Sequence, residues 1–166
     1  MKQLFFASLL LLSTAAMAQN APKVPELPAT KEEFVKSEKD FISIAKWLES
    51  TAIGIEAGNR KLLNAWTMAW LTNSPTVTIT VRASILKLFD KNPELMMVYM
   101  GGYARYCLEN SYSKDELKCN IAGIKAAINC YNLGGEIKKD KALAKVIEKD
   151  GEGKLEEWVT DAMKAK

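Results

Sequence analysis

The sequence predicts an all-α protein: a single compact, irregular bundle of about six to seven helices with one short extended segment near residues 76–81. Apolar residues recur every three or four positions along most of the chain, which is the period of one helix face. Helix-capping sequences precede several of these stretches. Alternation at every second residue is confined to Thr76-Val77-Thr78-Ile79-Thr80-Val81, where all six residues are β-branched.

Residues 1–18 have the three parts of an export signal peptide. Lys2 precedes the apolar run of residues 4–12, and Ala16-Met17-Ala18 ends with the small residues that a signal peptidase requires. We therefore expect an exported protein, periplasmic or extracellular, whose mature form begins at Gln19. The apolar run is too short for a membrane span, and a chain whose first mature residue is not cysteine should have no lipid anchor.

The mature chain should consist of a flexible leader and one helical domain. Residues 19–29 have a proline at every third position, which favours an extended and mobile segment. Thr30 and Glu33 match the capping box that begins a helix. The single domain is therefore predicted over residues 30–166.

Three helices are predicted in the first half of this domain. Helical periodicity predicts the first over residues 31–49; two glycines then interrupt the pattern, and Asn59 is the expected cap of the second. Ser74-Pro75 could begin another helix, but the alternation after it favours an extended segment over residues 76–81. A short third helix should follow over residues 83–90.

Four more helices are predicted, over about residues 92–110, 113–132 and 141–149 and from residue 155 onward. Ser113 and Glu116 predict a capping box for the second of these, and Asp140 is the expected cap of the third. Gly101, Gly102 and Gly123 lie inside predicted helices, where glycine is unfavourable, so we expect them to allow close helix packing. Close approach of a ligand is the alternative.

The composition excludes several classes of function. The chain contains no histidine, which excludes Ser-His-Asp and Cys-His catalysis and most zinc hydrolase sites. We expect no metal and no cofactor. Its 23 basic and 20 acidic residues are interspersed along the chain, so no basic face for nucleic acid is predicted.

A cluster of aromatic residues with one arginine is the candidate binding surface: Tyr99, Tyr103, Arg105, Tyr106 and Tyr112. Tyrosine rings stack on sugars or peptides, and their hydroxyls add hydrogen bonds. The alternative is that these rings are half-buried parts of the core.

The three cysteines of an exported protein suggest one disulfide. Cys119 and Cys130 lie 11 residues apart in one predicted helix, about 16 Å along its axis, which is too far for a bridge. Cys107 and Cys119 flank the same loop and are the candidate disulfide of a helical hairpin. The alternative is three buried thiols.

The extended segment raises a question of hydrogen bonding, because an isolated strand must find partners for its amides and carbonyls. Residues 53–55 or the stretch around Ile137 could pair with residues 76–81 inside the domain, which is the pairing we expect. Otherwise, a second copy of the protein or an extended target peptide could add at the edge.

Several strings of the sequence resemble a group of small exported proteins from Bacteroidetes-type bacteria. The strings are Ala45-Lys46-Trp47-Leu48-Glu49, Trp70-Leu71, Ser74-Pro75-Thr76-Val77-Thr78, the run of residues 92–102, the run of residues 108–115, and Ile137-Lys138-Lys139-Asp140. The resemblance covers most of residues 34–159. It implies export and a helical fold but supplies no activity and no catalytic residues.

Together, these observations predict a non-enzymatic exported protein that acts by binding or structure, with a protein or peptide as its candidate partner. A carboxylate-dependent hydrolase or lyase is one alternative, with Glu94 and Glu109 as the acids nearest the tyrosines. It requires two carboxyl groups within ~10 Å in a cleft. A small-ligand carrier is the other alternative, and it requires an enclosed apolar cavity of ~300 Å³ or more.

Overall fold

The computed structural model describes residues 20–165, and this range confirms the all-α class. Its eight α-helices are α1 (Lys31–Lys36), α2 (Glu38–Ser50), α3 (Ala57–Asn73), α4 (Ala83–Leu86), α5 (Glu94–Glu109), α6 (Glu116–Asn132), α7 (Lys141–Gly151) and α8 (Leu155–Lys164). A 3₁₀ turn, Lys87–Phe89, continues α4. The predicted signal peptide, residues 1–18, lies outside the described residues.

The described range contains one helix more than the sequence predicts because the first predicted helix is divided at Ser37. This residue ends α1 and begins α2. Its hydroxyl donates to the carbonyl of Phe34 at 2.8 Å and accepts from the indole N–H of Trp70, also at 2.8 Å. A side chain that bonds its own helix and a distant one favours the break at this position.

The capping predictions are confirmed at two helices and wrong at two others. Thr30 forms the predicted capping box of α1, and Asp140 accepts from two amides at the start of α7. The cap of α6 is Asp115 instead of Ser113, because the helix begins at Glu116, directly after Asp115. Asn59 lies inside the first turn of α3 and is not its cap.

Helices α5 and α6 form a hairpin at the centre of the domain, and its glycines allow the two backbones to approach closely. A Cβ atom on Gly102 would lie 2.5 Å from the Cβ of Ala126, and one on Gly123 would lie 2.6 Å from the carbonyl oxygen of Tyr99. Both distances are too short for real atoms. The prediction of close packing is therefore confirmed at these two glycines. At Gly101 it is not, because a Cβ there would lie 3.4 Å from the Cβ of Ala45, which is an ordinary contact.

The remaining helices surround this hairpin. Helix α2 packs on both α5 and α6, α3 packs on α2 and α5, and α8 packs on α4, α6 and α7. Phe41 and Trp70 stack inside this shell with their ring centroids 4.3 Å apart. Within residues 20–165, each helix is too short or too polar to cross a membrane.

A buried arginine connects α3 to the end of α2. Arg60 is 2% exposed, donates to the carbonyls of Leu48 and Thr51, and lies 5.4 Å from the ring centroid of Trp47. Burial lowers the pKa of its guanidinium. Since the last turn of α2 has no basic residue of its own, Arg60 places a cation at the negative end of that helix.

Residues 20–29 form no helix or strand. The carbonyl of Glu26 accepts from the indole N–H of Trp66 at 3.4 Å, and Ala21 packs against the core. The flexibility that the proline pattern predicts for this leader stays a prediction.

Candidate binding groove

The predicted cluster of tyrosines and Arg105 does not form one surface. Tyr99 and Tyr103 are 0% and 2% exposed, whereas Tyr112 is 44% exposed. Arg105 and Tyr106 are half-buried, and Tyr106 packs against the core. The five side chains therefore divide among the core, an ion-pair cluster and a groove.

Tyr99 belongs to the core. Its hydroxyl donates to the side-chain oxygen of Asn120 at 2.6 Å, and the amide group of Asn120 donates to the carbonyl of Glu116. Its ring centroid lies 5.4 Å from that of Phe89. Burial raises the pKa of Tyr99. The alternative that the aromatic rings are part of the core is therefore correct for Tyr99, which is fully buried rather than half-buried.

Arg105 belongs to an ion-pair cluster. It contacts Glu49 at 2.6 Å and Glu109 at 3.9 Å, and Lys46 contacts Glu109 at 2.7 Å. Part of this cluster lines an open basin of about 400 Å³ together with Asn129, whose amide donates to Glu49. The charges of the cluster are matched within it, so it does not leave an unpaired cation for an anionic ligand.

The carboxylate alternative finds no support in this arrangement. Glu94 and Glu109 lie at opposite ends of α5, about 22 Å apart along its axis. Glu49 and Glu109 are close, since both contact Arg105, but each has a cation within 4 Å. Acid catalysis by two carboxyls needs one of them in an environment that keeps its proton.

Segment 76–81 has the side-chain register of a strand. Val77 is 5% exposed, and Ile79 and Val81 also pack against the core, so the odd-numbered residues face inward. Thr76, Thr78 and Thr80 line a groove on the other side. The two-residue period of an extended chain is therefore present, as the sequence predicts.

The expectation that this segment pairs inside the domain is wrong. The two stretches predicted to pair with it pair with each other: Ile53 forms an isolated parallel bridge with Gly135, and the amide of Glu136 donates to the carbonyl of Ile53 at 2.9 Å. A Cβ on Gly135 would lie far inside contact distance of the same carbonyl, and its φ of 87° favours glycine. This close bridge occupies the partners that segment 76–81 was expected to use.

The main chain of segment 76–81 is consequently almost unpaired. The amides of Thr76 and Val77 are bonded to the hydroxyl of Ser74, and Thr80 bonds to the phenol of Tyr103 through its backbone. Among residues 20–165 no other hydrogen bond is made by the amides or carbonyls of residues 76–81. Such groups are normally paired with protein or with solvent.

The groove beside the segment has a volume of about 310 Å³. Its lining is Thr76, Val77, Thr78, Thr80, Tyr103, Cys107, Tyr112, Ser113, Lys114 and Glu116. One wall is segment 76–81, and the other is α5 with the loop that follows it. The structure thus brings together two features that the sequence suggests separately, the alternating segment and two of the five predicted binding residues.

The two tyrosines of the groove have different environments. Tyr103 is buried, and this burial raises its pKa to about 12. Tyr112 lies at the rim, in a loop where it and Ser111 have φ values of 57° and 55°. A hydrogen bond from the amide of Ser113 to the carbonyl of Cys107 closes this loop. Two successive non-glycine residues with positive φ are uncommon.

Glu38 was not predicted by the sequence and lies at one end of the groove. Its two oxygens accept from the hydroxyl of Thr76 at 2.8 Å and from the hydroxyl of Tyr112 at 3.1 Å. The bond to Glu38 raises the pKa of Tyr112. No lysine or arginine within residues 20–165 forms an ion pair with this carboxylate. Glu38 therefore links both walls of the groove through these two hydrogen bonds.

The cysteines are close but not bonded. The sulfurs of Cys107 and Cys119 lie 3.1 Å apart, whereas a disulfide requires about 2.05 Å. All three cysteines are free and buried, which is the alternative given for them. The predicted disulfide is thus not formed in this structure, although the predicted pair does lie together in the hairpin. Burial raises the pKa of Cys107, and that of Cys130 to about 11.

The carrier alternative finds no support in the basin or the groove. Both are open to solvent, so neither is an enclosed apolar cavity. Over residues 20–165, no group of three or more cysteine, aspartate or glutamate residues is arranged to hold a metal ion.

Comparison with known proteins does not assign this chain to a class. No protein-family model, curated protein or solved structure matches it. The resemblance to small exported proteins of Bacteroidetes-type bacteria therefore stays a prediction. The geometry of the groove is the basis for a functional proposal.

Proposed function

We propose that this chain is an exported, non-enzymatic binding protein of the periplasm or cell exterior, and that its ligand is an extended polypeptide that adds as a strand along segment 76–81. The observation that carries the proposal is the unpaired main chain of this segment. A strand added at such an edge gains main-chain hydrogen bonds, and neighbouring pockets select its side chains.

The segment is already held in the form that a partner strand needs. Val77, Ile79 and Val81 anchor it to the core, and Tyr103 bonds Thr80 from the side of α5. Because this wall is ordered before binding, association does not have to restrict its conformation. The ligand strand would therefore bind to an edge that is already extended.

The groove favours polar side chains in the ligand. Three threonine hydroxyls and Tyr112 offer hydrogen bonds, and Glu38 offers a negative charge at one end. A ligand with hydroxyl or amide side chains over the groove and a basic residue beside Glu38 satisfies these groups.

Export is part of the proposal and rests on residues 1–18. Expression in a bacterium with a working secretion system, followed by fractionation and N-terminal sequencing, tests it. We expect the protein outside the cytoplasm with Gln19 as its first residue. An unprocessed cytoplasmic chain would contradict this part of the proposal.

Peptide selection tests the binding function. A library of random ten-residue peptides displayed on phage is selected on the purified protein, and the selected peptides are assayed by NMR. We expect alternating sequences that slow amide exchange at Ile79 or Val81, or at Thr78, and shift the signals of the groove residues. Peptides that leave segment 76–81 unchanged would overturn the proposal.

Two proline variants provide the matched control. Ile79→Pro and Thr78→Pro each remove one amide donor, and neighbouring residues of a strand direct their donors to opposite edges. We expect peptide binding to be lost in one variant and kept in the other, with both folded by circular dichroism. Equal binding by both variants and the wild type would show that the segment does not form the site.

A further inference from the structure

The two edges of segment 76–81 differ in how many of their groups are free. In an extended chain, the amide and carbonyl of one residue point to the same edge, and those of the next residue point to the other. The even-numbered edge has two amides engaged by side chains, those of Thr76 and Thr80, whereas the odd-numbered edge has one, that of Val77. Within residues 20–165 the odd-numbered edge keeps the amides of Ile79 and Val81 and its carbonyls without a partner.

We propose that the strand received by this odd-numbered edge is segment 76–81 of a second copy of the chain, paired antiparallel about a two-fold axis at Ile79. This inference rests on the proposed function and names its partner. In this register Ile79 faces Ile79, and Thr78 faces Thr80. Apolar side chains therefore meet apolar ones on one face and hydroxyls meet hydroxyls on the other, both of which are favourable cross-strand pairs.

The free donors and acceptors also agree with this register. When the odd-numbered edge faces the partner, a two-fold axis at Ile79 makes Ile79 and its copy a hydrogen-bonded pair, which exchanges two main-chain hydrogen bonds. Ile79 lies on the free edge, so it can do this. Val81 of each copy can donate to the carbonyl of Val77 of the other, which gives about four hydrogen bonds between the copies.

Charge complementarity favours a second copy over an unrelated peptide. The same register places Arg82 of one copy opposite Thr76 of the other, and the hydroxyl of Thr76 donates to Glu38. Glu38 has no ion-pair partner within the described residues, and Arg82 has only an exposed contact with Glu116 at 3.5 Å. Each copy thus supplies the cation that the acidic end of the groove in the other copy lacks.

The expected dimer is weak. Seven paired residues in each copy, 76–82, bury much less than the ~1,200 Å² typical of stable interfaces, so a dissociation constant of about 10 µM to 1 mM is expected. Sedimentation velocity over that range should show a concentration-dependent shift from monomer to dimer. Amide exchange at Ile79 and Val81 should slow as the protein concentration rises.

Cysteine cross-linking tests the register. Thr78→Cys and Thr80→Cys are prepared as separate single variants and oxidised alone or mixed. Since residue 78 faces residue 80 of the other copy at a non-hydrogen-bonded pair, about 4.5 Å between Cα atoms, the mixture should cross-link much faster than either variant alone. Wild-type protein, whose cysteines are buried, is the control for background.

A charge exchange tests the polar contact. Glu38→Arg and Arg82→Glu should each weaken the dimer at least fivefold, and the double variant should recover most of the affinity. Glu152→Gln removes one acidic charge from an exposed ion-pair cluster outside the groove and outside segment 76–81, so it should leave dimerisation unchanged. Recovery in the double variant cannot come from a purely structural role of either residue.

A protein that stays monomeric at 1 mM and gives no mixed cross-link would overturn this inference. The selected phage peptides then separate the two proposals. If they still protect segment 76–81, strand addition stands and the second copy is not its partner. If neither peptides nor a second copy protects it, both proposals fall.

Discussion

The α5–α6 hairpin and segment 76–81 form opposite walls of one groove, yet they satisfy their main chains in opposite ways. The hairpin bonds its backbone within its helices and packs them at glycine contacts. The segment anchors alternate side chains in the core and leaves most of its amides and carbonyls unpaired. The comparison teaches that packing alone can hold an extended chain in place, and that this leaves its edges available for recognition.

The largest effect is expected from filling the closest contact in the hairpin. Gly123→Ala adds a Cβ at 2.6 Å from the carbonyl oxygen and 2.7 Å from the ring of Tyr99. The helices must separate or the ring must shift, so we expect a loss of about 2 kcal/mol or more in the free energy of unfolding, measured by urea denaturation.

Gly58→Ala is the matched control because the same substitution meets no atom within 4 Å there. Alanine is the better helix former, so this variant of α3 should gain about 0.5–1 kcal/mol. Similar changes in both variants would mean that close packing is not the reason for glycine at position 123.

A somewhat smaller effect is expected from the buried polar pair of the hairpin. Asn120→Ala leaves the hydroxyl of Tyr99 buried without its acceptor, which should cost about 2 kcal/mol. Combining it with Tyr99→Phe removes that unpaired hydroxyl, so the double variant should be more stable than the sum of the single losses implies. Strict additivity in this double-mutant cycle would show that the two groups do not interact.

Alkaline pH should lower the free energy of unfolding through Tyr103, which lies in α5. An exposed tyrosine has a pKa near 10, and burial raises that of Tyr103 to about 12, so the folded state retains a proton that the unfolded state loses. This contribution to stability is complete below pH 10 and is lost as the pH rises from 10 to 12. Urea midpoints measured from pH 8 to pH 11 should therefore fall.

Tyr103→Phe identifies the group responsible. Phenylalanine has no proton to lose, so the decrease in the urea midpoint should be smaller in this variant. Part of the decrease should remain, because burial raises the pKa of Tyr99 in the same direction. Identical pH profiles for variant and wild type would show that Tyr103 does not contribute.

The sequence predicts the hairpin better than the groove. Local signals are enough for the helices: Asp140 caps α7, and Gly102 and Gly123 indicate close packing. The alternation of residues 76–81 likewise predicts an extended chain and the correct inward face. These properties follow from periodicity and propensity over a few neighbouring residues.

The missed features depend on contacts between distant parts of the chain. Glu38 lies in the first turn of α2, where an acidic residue is already explained by the helix dipole, so its bonds to Thr76 and Tyr112 have no local signal. Arg60 was missed for the same reason, because nothing near it in the sequence distinguishes it from an exposed basic residue of a helix. Its bond to the carbonyl of Leu48 depends on the packing of α3 against α2. The wrong pairing of residues 76–81 arose because Ile53 and Gly135 could not be recognised as partners of each other.

The smallest effect on stability is expected at the extended segment. Thr78→Pro removes a main-chain amide that has no hydrogen bond within residues 20–165. The side chain of Thr78 is exposed at the groove, so its replacement leaves the core unchanged. Proline is compatible with an extended chain, so the free energy of unfolding should change by less than about 0.5 kcal/mol. Proline inside a helix costs about 3 kcal/mol, and inside a paired strand it likewise removes a main-chain hydrogen bond. A loss of that size would show that the segment is paired inside the domain, and the contrast between the two walls of the groove would then disappear.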